Sequence, residues 1–267
     1  MSEQQAPTAT AVRPYSGYRD ALARLSGAQK TAARGAPAYS RFVNRRLGRY
    51  TAAAAFGAGL TPNMLTAISA LFTFGGVGLL LAYPPSWWLG IVVSLALVAG
   101  YALDSADGQL ARLTGTGSPA GEWLDHVVDS VKTSVLPLAL LIALYRFEAV
   151  DRAWLLVPLA SAVVAAVLFF SMILTEQLRR QQGVVSVADV SGGRSWLRSL
   201  LVVPMDYGLL CLSFLLYGAV PVFMTVYTAI FAATAAFLAM ASVKWFRELQ
   251  RISSVSAPII SGGQDNG

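Results

Sequence analysis

The chain is poor in the residues that usually carry chemistry: of 267 residues it has one histidine, one cysteine and 13% charged residues. A lone thiol, Cys211, excludes an intramolecular disulfide, and inside an apolar run it reads as a small core residue. Acidic charge is the scarcer sign, 14 Asp and Glu against 20 Lys and Arg, giving a pI of about 9.7. The first twelve residues lack the basic-then-apolar pattern of a cleavable signal peptide and read as a disordered tail. No internal repeat and no second soluble domain is evident. Hydrophobic residues are abundant: they make up 55% of the chain and mean hydropathy is +0.57. A soluble domain of this length could not cover so much apolar side chain with polar surface.

The apolar runs divide into six stretches of about 20 residues, the length a bilayer core requires. They fall at about 62–83, 87–111, 119–144, 153–175, 199–217 and 220–243. The expected fold is all-α, a polytopic membrane protein with six transmembrane helices. It divides into a tail (1–12), a cytoplasmic or interfacial segment (13–58), one membrane domain (59–245) and a cytoplasmic tail (246–267). Before the first span, Tyr39, Phe42, Val43, Leu47 and Tyr50 recur at helical spacing opposite Arg41, Arg45 and Arg49. That pattern predicts an amphipathic helix lying among lipid headgroups. Residues 18–33 have a weaker apolar face and fit either a second such helix or a cytosolic arm.

Basic residues are distributed unevenly between the two ends of the spans. Arg13, Arg19, Arg24, Lys30, Arg34, Arg41, Arg45, Arg46 and Arg49 precede the first span, and Arg112, Arg179, Arg180, Arg194, Arg198, Lys244, Arg247 and Arg251 share that side. Arg146 and Arg152 fall opposite. The positive-inside rule then puts both termini in the cytoplasm, with a bacterial-type plasma membrane as the expected location. The high pI follows from topology and from attraction to anionic lipid or substrate, without nucleic acid as a partner.

Against this apolar background stand four aspartates, Asp104, Asp107, Asp125 and Asp129. Charges are rare in membrane-length apolar sequence unless they serve a function. The first pair is three residues apart and the second four, so each pair shares one helix face. The second span is apolar before it reaches its aspartates, and the third becomes apolar after them, so all four sit at the same end. The short Gly- and Ser-containing turn 114–119 predicts that the two helices are antiparallel neighbours. Two facing carboxylate pairs repel one another unless cations lie between them. Hard divalent ions such as Mg²⁺ or Mn²⁺ prefer such oxygen ligands, and no histidine or thiol shares these faces.

The full run Asp104-x2-Asp107-Gly108-x2-Ala111-Arg112-x8-Gly121-x3-Asp125-x3-Asp129 resembles, without a departure, the signature of the CDP-alcohol phosphotransferase family. Members of that family join a CDP-linked alcohol to a second alcohol and release CMP. The resemblance implies that Asp104, Asp107 and Asp125 bind metal, with two ions expected. It implies that Asp129 divides between metal contact and activation of the acceptor hydroxyl. It also implies a homodimer. Gly108 lets a ligand or a helix approach the backbone beside the carboxylates, Ala111 leaves room one turn on, and Arg112 offers a planar fork to a diphosphate or an aspartate. A Pro62-Asn63-x-x-Thr66 stretch resembles one that lies beside the cytidine diphosphate in relatives, making Asn63 and Thr66, with Gly108, Ala111, Arg112 and Gly121, the CDP-binding candidates.

Lys132, one turn beyond Asp129, fits either a contact to a negatively charged substrate or an ion pair with Asp129. Arg194 and Arg198 fit either an acceptor-phosphate pocket with Lys132 or cytoplasmic anchors. His126 directly follows Asp125 and points away from the aspartate face, in a packing or supporting role, although its Leu-Asp-His-x-x-Asp setting is similar to the choline/ethanolamine branch. The donor expected first is CDP-diacylglycerol, with inositol phosphate or glycerol phosphate as acceptor. Two alternatives stay open. One is a di-inositol-phosphate-type synthase using CDP-inositol, to which Ser40-Arg-Phe-Val-Asn44-Arg45 is similar; the other is a choline/ethanolamine-type phosphotransferase. A non-enzymatic reading, an ion transporter, finds only Asp206 as a further acidic group in the later spans.

Overall fold

The computed structural model describes residues 17–27, 39–183 and 206–256, and these are helical without a strand. Helix α1 spans Tyr18–Gly27. A π-helical turn, Ser40–Asn44, leads into α2, Arg45–Gly57. Four long helices follow: α3 (Pro62–Ala82), α4 (Trp87–Thr114), α5 (Pro119–Arg146) and α6 (Leu156–Gln181), the last entered through a 3-10 turn at Arg152–Leu155. A short α7, Tyr207–Ser213, runs into a 3-10 turn at Phe214–Leu216, and α8 occupies Val220–Ser256.

Local chemistry fixes the helix starts. Thr61, Ser86 and Ser118 are extended N-caps whose hydroxyls accept the amide N–H of Met64, Leu89 and Gly121, and Pro62 and Pro119 occupy the first turns they cap. Gly115, at φ 68°, closes α4 in the left-handed conformation that glycine adopts without penalty. The chain therefore reverses between α4 and α5 within a few residues.

Among the described residues, five helices are long and apolar enough to cross a membrane: α3, α4, α5, α6 with its entering turn, and α8. The expected fifth span is the difference. Its described part is the short apolar helix Tyr207–Leu216, and residues 199–205 lie outside the described residues, as do the 1–12 tail and both Arg194 and Arg198. Helix α8 runs about a dozen residues beyond the apolar run expected there, because its polar last turns stay helical where α6 meets it. There the Arg179 guanidinium grips Glu248 with two bonds, 2.9 and 2.8 Å.

The turn between α4 and α5 is as short as expected, yet these helices do not pack along their length. Helix α3 lies against both and takes the place that each was expected to fill for the other. The sequence cue is a stripe of small and polar residues on α3, Thr66, Ser69, Thr73 and Gly76, all buried at three- and four-residue spacing. It meets Gly100 of α4, where an added Cβ would come within 2.5 Å of Thr73 Oγ1. Small residues let these backbones approach, as in other membrane bundles. With α3 as the spacer, the aspartate ends of α4 and α5 face one another across a gap.

Two apolar clusters hold the bundle. The larger includes Leu80, Val93, Leu97, Leu140, Phe214, Tyr217 and Phe223; the smaller joins α1, α2, α3 and α4 through Ala21, Ala52, Ala53, Leu65, Ala106 and Leu110. Helix α2 is thus anchored by its small face, Gly48, Ala52 and Ala55, while Phe42, Val43, Leu47 and Tyr50 stay exposed, the apolar face expected of an interfacial helix. Tyr39 departs from that face and turns inward, stacking on Tyr101 with ring centroids 6.3 Å apart.

Candidate active site

The motif converges at one end of the bundle. Asp104 and Asp107 from α4 and Asp125 from α5 each offer a carboxylate oxygen within 4.8 Å of the other two. Asp107 is the most enclosed, 6% exposed, and its oxygens accept the Thr66 hydroxyl at 2.7 Å and the Gly108 amide. Asp129, on the next turn of α5, is tied to Lys132 rather than drawn into this triad.

Lys132 is the hub of the inner half. Buried in α5, its ammonium donates to Asp104 at 2.5 Å, to Ser69 Oγ at 3.0 Å and to Asp129 at 3.2 Å. Ser69 in turn donates to the Gly100 carbonyl at 2.8 Å. The ion pair between Lys132 and Asp129 is present, and it takes in Asp104 as well. The lysine offsets the repulsion between two carboxylates that would otherwise share a low-dielectric site.

The residues present suit a hard divalent ion. The triad offers only oxygen donors, drawn from two helices. Among the described residues Asp125 Oδ1 is buried without a hydrogen-bond partner, a position that a cation would satisfy.

Beside the triad opens a cleft of about 640 Å³ whose walls include Asn63, Thr66, Gly108, Ala111, Arg112 and Gly121, all six of the CDP-binding candidates, together with Asp107 and Asp125. Gly121 fits closely: a Cβ there would lie 3.4 Å from Asn63 Oδ1 and 3.3 Å from the Ser118 hydroxyl. Gly108 is more open, its nearest contact being the Arg112 guanidinium at 3.5 Å. Arg112 is exposed to the cleft, so its fork is presented to whatever enters. The 115–118 turn and Pro119 at the start of α5 complete the wall of the cleft.

His126 lies off this face. It approaches Glu122 at 3.8 Å and stands edge-on to Phe169 of α6, ring centroids 6.4 Å apart, consistent with packing between helices. Glu122 also pairs with Arg180 of α6 at 2.7 Å, closing the mouth of α5 against α6. Asp206, weighed as a transport residue, has both oxygens engaged in structure: it accepts the Gly208 amide at 3.1 Å and the Ser40 amide at 2.9 Å. Next to it, burial, ahead of the Cys211 and Asp206 charges, raises the Tyr39 phenol, which stays neutral.

Sequence reasoning passed over Ser69, Thr73, Tyr101 and Tyr207. The small-polar stripe on α3 carried the signal for the first two; Tyr101 lies one turn before Asp104 on α4, a spacing that could have found it, whereas Tyr207 comes near Asp104 and Asp129 only where α7 packs against α4.

A family model described as CDP-alcohol phosphatidyltransferase matches residues 59–241, more than half of the chain. Among curated relatives, an archaetidylinositol phosphate synthase of Pyrococcus horikoshii is 41% identical over 71 residues, 27% of this chain and 35% of the relative. Cholinephosphotransferase 1 of Xenopus laevis is 32% identical over 78 residues, 27% of this chain and 19% of the relative. A CDP-diacylglycerol–serine O-phosphatidyltransferase of Encephalitozoon cuniculi is 33% identical over 86 residues, 30% and 22% of the two chains. The chain thus spans about a fifth to a third of the length of these relatives.

Proposed function

The chain belongs to the CDP-alcohol phosphatidyltransferase family, and from that premise we propose that it transfers a phosphatidyl or phospho-alcohol group from a CDP-alcohol to a second alcohol, releasing CMP. The observation that carries this is the coincidence of the aspartate triad with a cleft lined by every candidate CDP contact. Asp104, Asp107, Asp125 and Asp129 hold two Mg²⁺ or Mn²⁺ ions in this reading. When bound, such ions neutralise a diphosphate and stabilise charge developing at its transferred phosphorus.

The protein's own groups do the rest. Asn63, Thr66 and Arg112 hold the nucleotide half, Gly108 and Gly121 let it approach the backbone, and Thr66 fixes the rotamer of Asp107. Asp129 accepts the proton of the incoming hydroxyl, its orientation set by Lys132. The transferred phosphorus forms a bond to the acceptor oxygen as its bond to the CMP oxygen breaks.

CDP-diacylglycerol is the donor we propose, with inositol phosphate or glycerol phosphate as acceptor and Lys132, Arg194 and Arg198 on the acceptor phosphate. The archaetidylinositol phosphate synthase relative supports an inositol phosphate acceptor. A choline/ethanolamine-type reading is favoured by the Leu124-Asp125-His126 setting and by the cholinephosphotransferase relative. The proposal includes a homodimer in a bacterial-type plasma membrane, with the site on the cytoplasmic face where the basic end of the bundle lies. The test is CMP release by purified protein in lipid nanodiscs, across CDP-diacylglycerol, CDP-inositol, CDP-choline and CDP-ethanolamine, each with phosphorylated polyols and with diacylglycerol. Absence of CMP release from every pair in the presence of Mg²⁺ and Mn²⁺ would refute it.

A further inference from the structure

The four aspartates stand between two cavities. Asp107 and Asp125 line the cleft, whereas Asp104 and Asp129 line an inner chamber of about 190 Å³ whose walls include Tyr101, Lys132, Thr133 and Tyr207. Tyr207 and Thr133 also line a smaller apolar cavity of about 100 Å³ among α5, α6, α7 and α8, so the chamber continues toward the bundle interior. A displacement at phosphorus needs the donor's leaving group and the incoming oxygen on opposite sides. A partition with two carboxylates facing each way supplies such sides.

Tyr207 is the group in the chamber with no assigned task. Its hydroxyl oxygen is shut off from solvent and, among the described residues, has no oxygen or nitrogen hydrogen-bond partner. The Cys211 thiol, one turn on, lies near it, but sulfur is a weak acceptor. Buried hydroxyls are normally paired, and leaving one unpaired is costly. The ring itself is held firmly. It stands edge-on to Tyr101 at 5.1 Å, Tyr101 stacks on Tyr39, and Tyr39 lies so close to Gly208 that a Cβ there would come within 2.0 Å of its ring. Asp206 completes the brace by joining the start of α7 to the Ser40 amide.

We infer that the inner chamber receives the acceptor alcohol and that the Tyr207 hydroxyl hydrogen-bonds to it. The inference rests on the transfer reading above and assigns the acceptor's side of that reaction. The acceptor O–H gives its proton to the Asp129 carboxylate, its oxygen bonds to the donor phosphorus presented from the cleft, and the phosphorus–oxygen bond to CMP breaks with its electron pair leaving on CMP. Tyr207 touches the acceptor; Tyr39 acts through it, as a positioning residue on the segment that precedes the first span.

The experiment uses the full chain in nanodiscs with Mg²⁺ and measures CMP release against acceptor and donor concentration separately. CDP-diacylglycerol is paired with inositol phosphate or glycerol phosphate, and CDP-choline with diacylglycerol, using whichever pair the wild type turns over. Tyr207→Phe should raise the acceptor KM by about tenfold, the loss of one hydrogen bond, with donor KM and Tm unchanged. Tyr39→Leu should move the acceptor KM the same way, and Tyr39→Phe, which keeps the ring stack, should behave as wild type. An unchanged acceptor KM in Tyr207→Phe, or equal rises for donor and acceptor, would overturn the assignment while leaving the transfer reading intact. No CMP release by the wild type with any pair would overturn that reading, and this inference with it.

Discussion

Replacing Lys132 by methionine keeps an unbranched apolar stem, one atom shorter, and removes the ammonium with its charge and its hydrogen-bond donors. Lys132 is 5% exposed and donates to both Asp104 and Asp129. Hydrogen bonds to charged groups contribute about 1.5–3 kcal/mol each, so two of them set a scale of about 3–6 kcal/mol. Breaking a buried ion pair by removing one partner gives a similar figure, about 3–5 kcal/mol. The carboxylates keep 19% and 27% side-chain exposure, so water recovers part of the loss and the lower end, about 3 kcal/mol, is expected. For a chain of this size that corresponds to a fall in Tm of roughly 6–12 °C. A divalent ion between the same carboxylates would offset their repulsion, so the fall should shrink when Mg²⁺ replaces chelator. Thermal unfolding of wild type and Lys132→Met in nanodiscs, with EDTA and with Mg²⁺, measures both quantities. A fall below about 2 °C in EDTA, or the same fall in both conditions, would refute the account of Lys132 as the counter-charge of an ion site.

Chelation should abolish CMP release and Mg²⁺ or Mn²⁺ should restore it; Asp107→Asn should lose turnover and divalent-ion affinity together, and full activity after exhaustive chelation would contradict the ion scheme. Thr66→Val removes the 2.7 Å bond to a buried carboxylate, about 1–3 kcal/mol, and should weaken Mg²⁺ binding by about tenfold or more in calorimetric titration; unaltered affinity would show that Asp107 holds its rotamer unaided. If Asp129 takes the acceptor's proton, Asp129→Asn should lose turnover far more than donor affinity, whereas equal losses would make it chiefly an ion ligand. Lys132→Ala, Arg194→Ala and Arg198→Ala should each raise the KM of a phosphorylated acceptor more than that of its dephosphorylated counterpart; an unchanged preference in all three would remove the phosphate pocket.

The long spans, their caps and the aspartate motif were legible because each depends on neighbours in sequence. An apolar run of bilayer length has few alternatives to a helix, Thr61-Pro62 and Ser118-Pro119 cap by local bonding, and three- or four-residue spacing puts carboxylates on one face whatever surrounds them. The same locality brought Asn63, Thr66, Gly108, Ala111, Arg112 and Gly121 to one cleft, since they lie at the ends of three consecutive helices joined by short turns. What required the tertiary structure were choices between partners far apart in the chain. A short turn limits where α5 begins but not what it packs against, and close approach at Gly100 put α3 between α4 and α5, opening the gap that the aspartates share. Lys132 had one local partner, Asp129, and gained Asp104 and Ser69 only through that packing, because a buried ammonium must collect every acceptor within reach. The division of the aspartates between a cleft and an inner chamber likewise arises where α7 meets α4, since Tyr207 and Tyr101 are separated by more than a hundred residues and no local pattern links them.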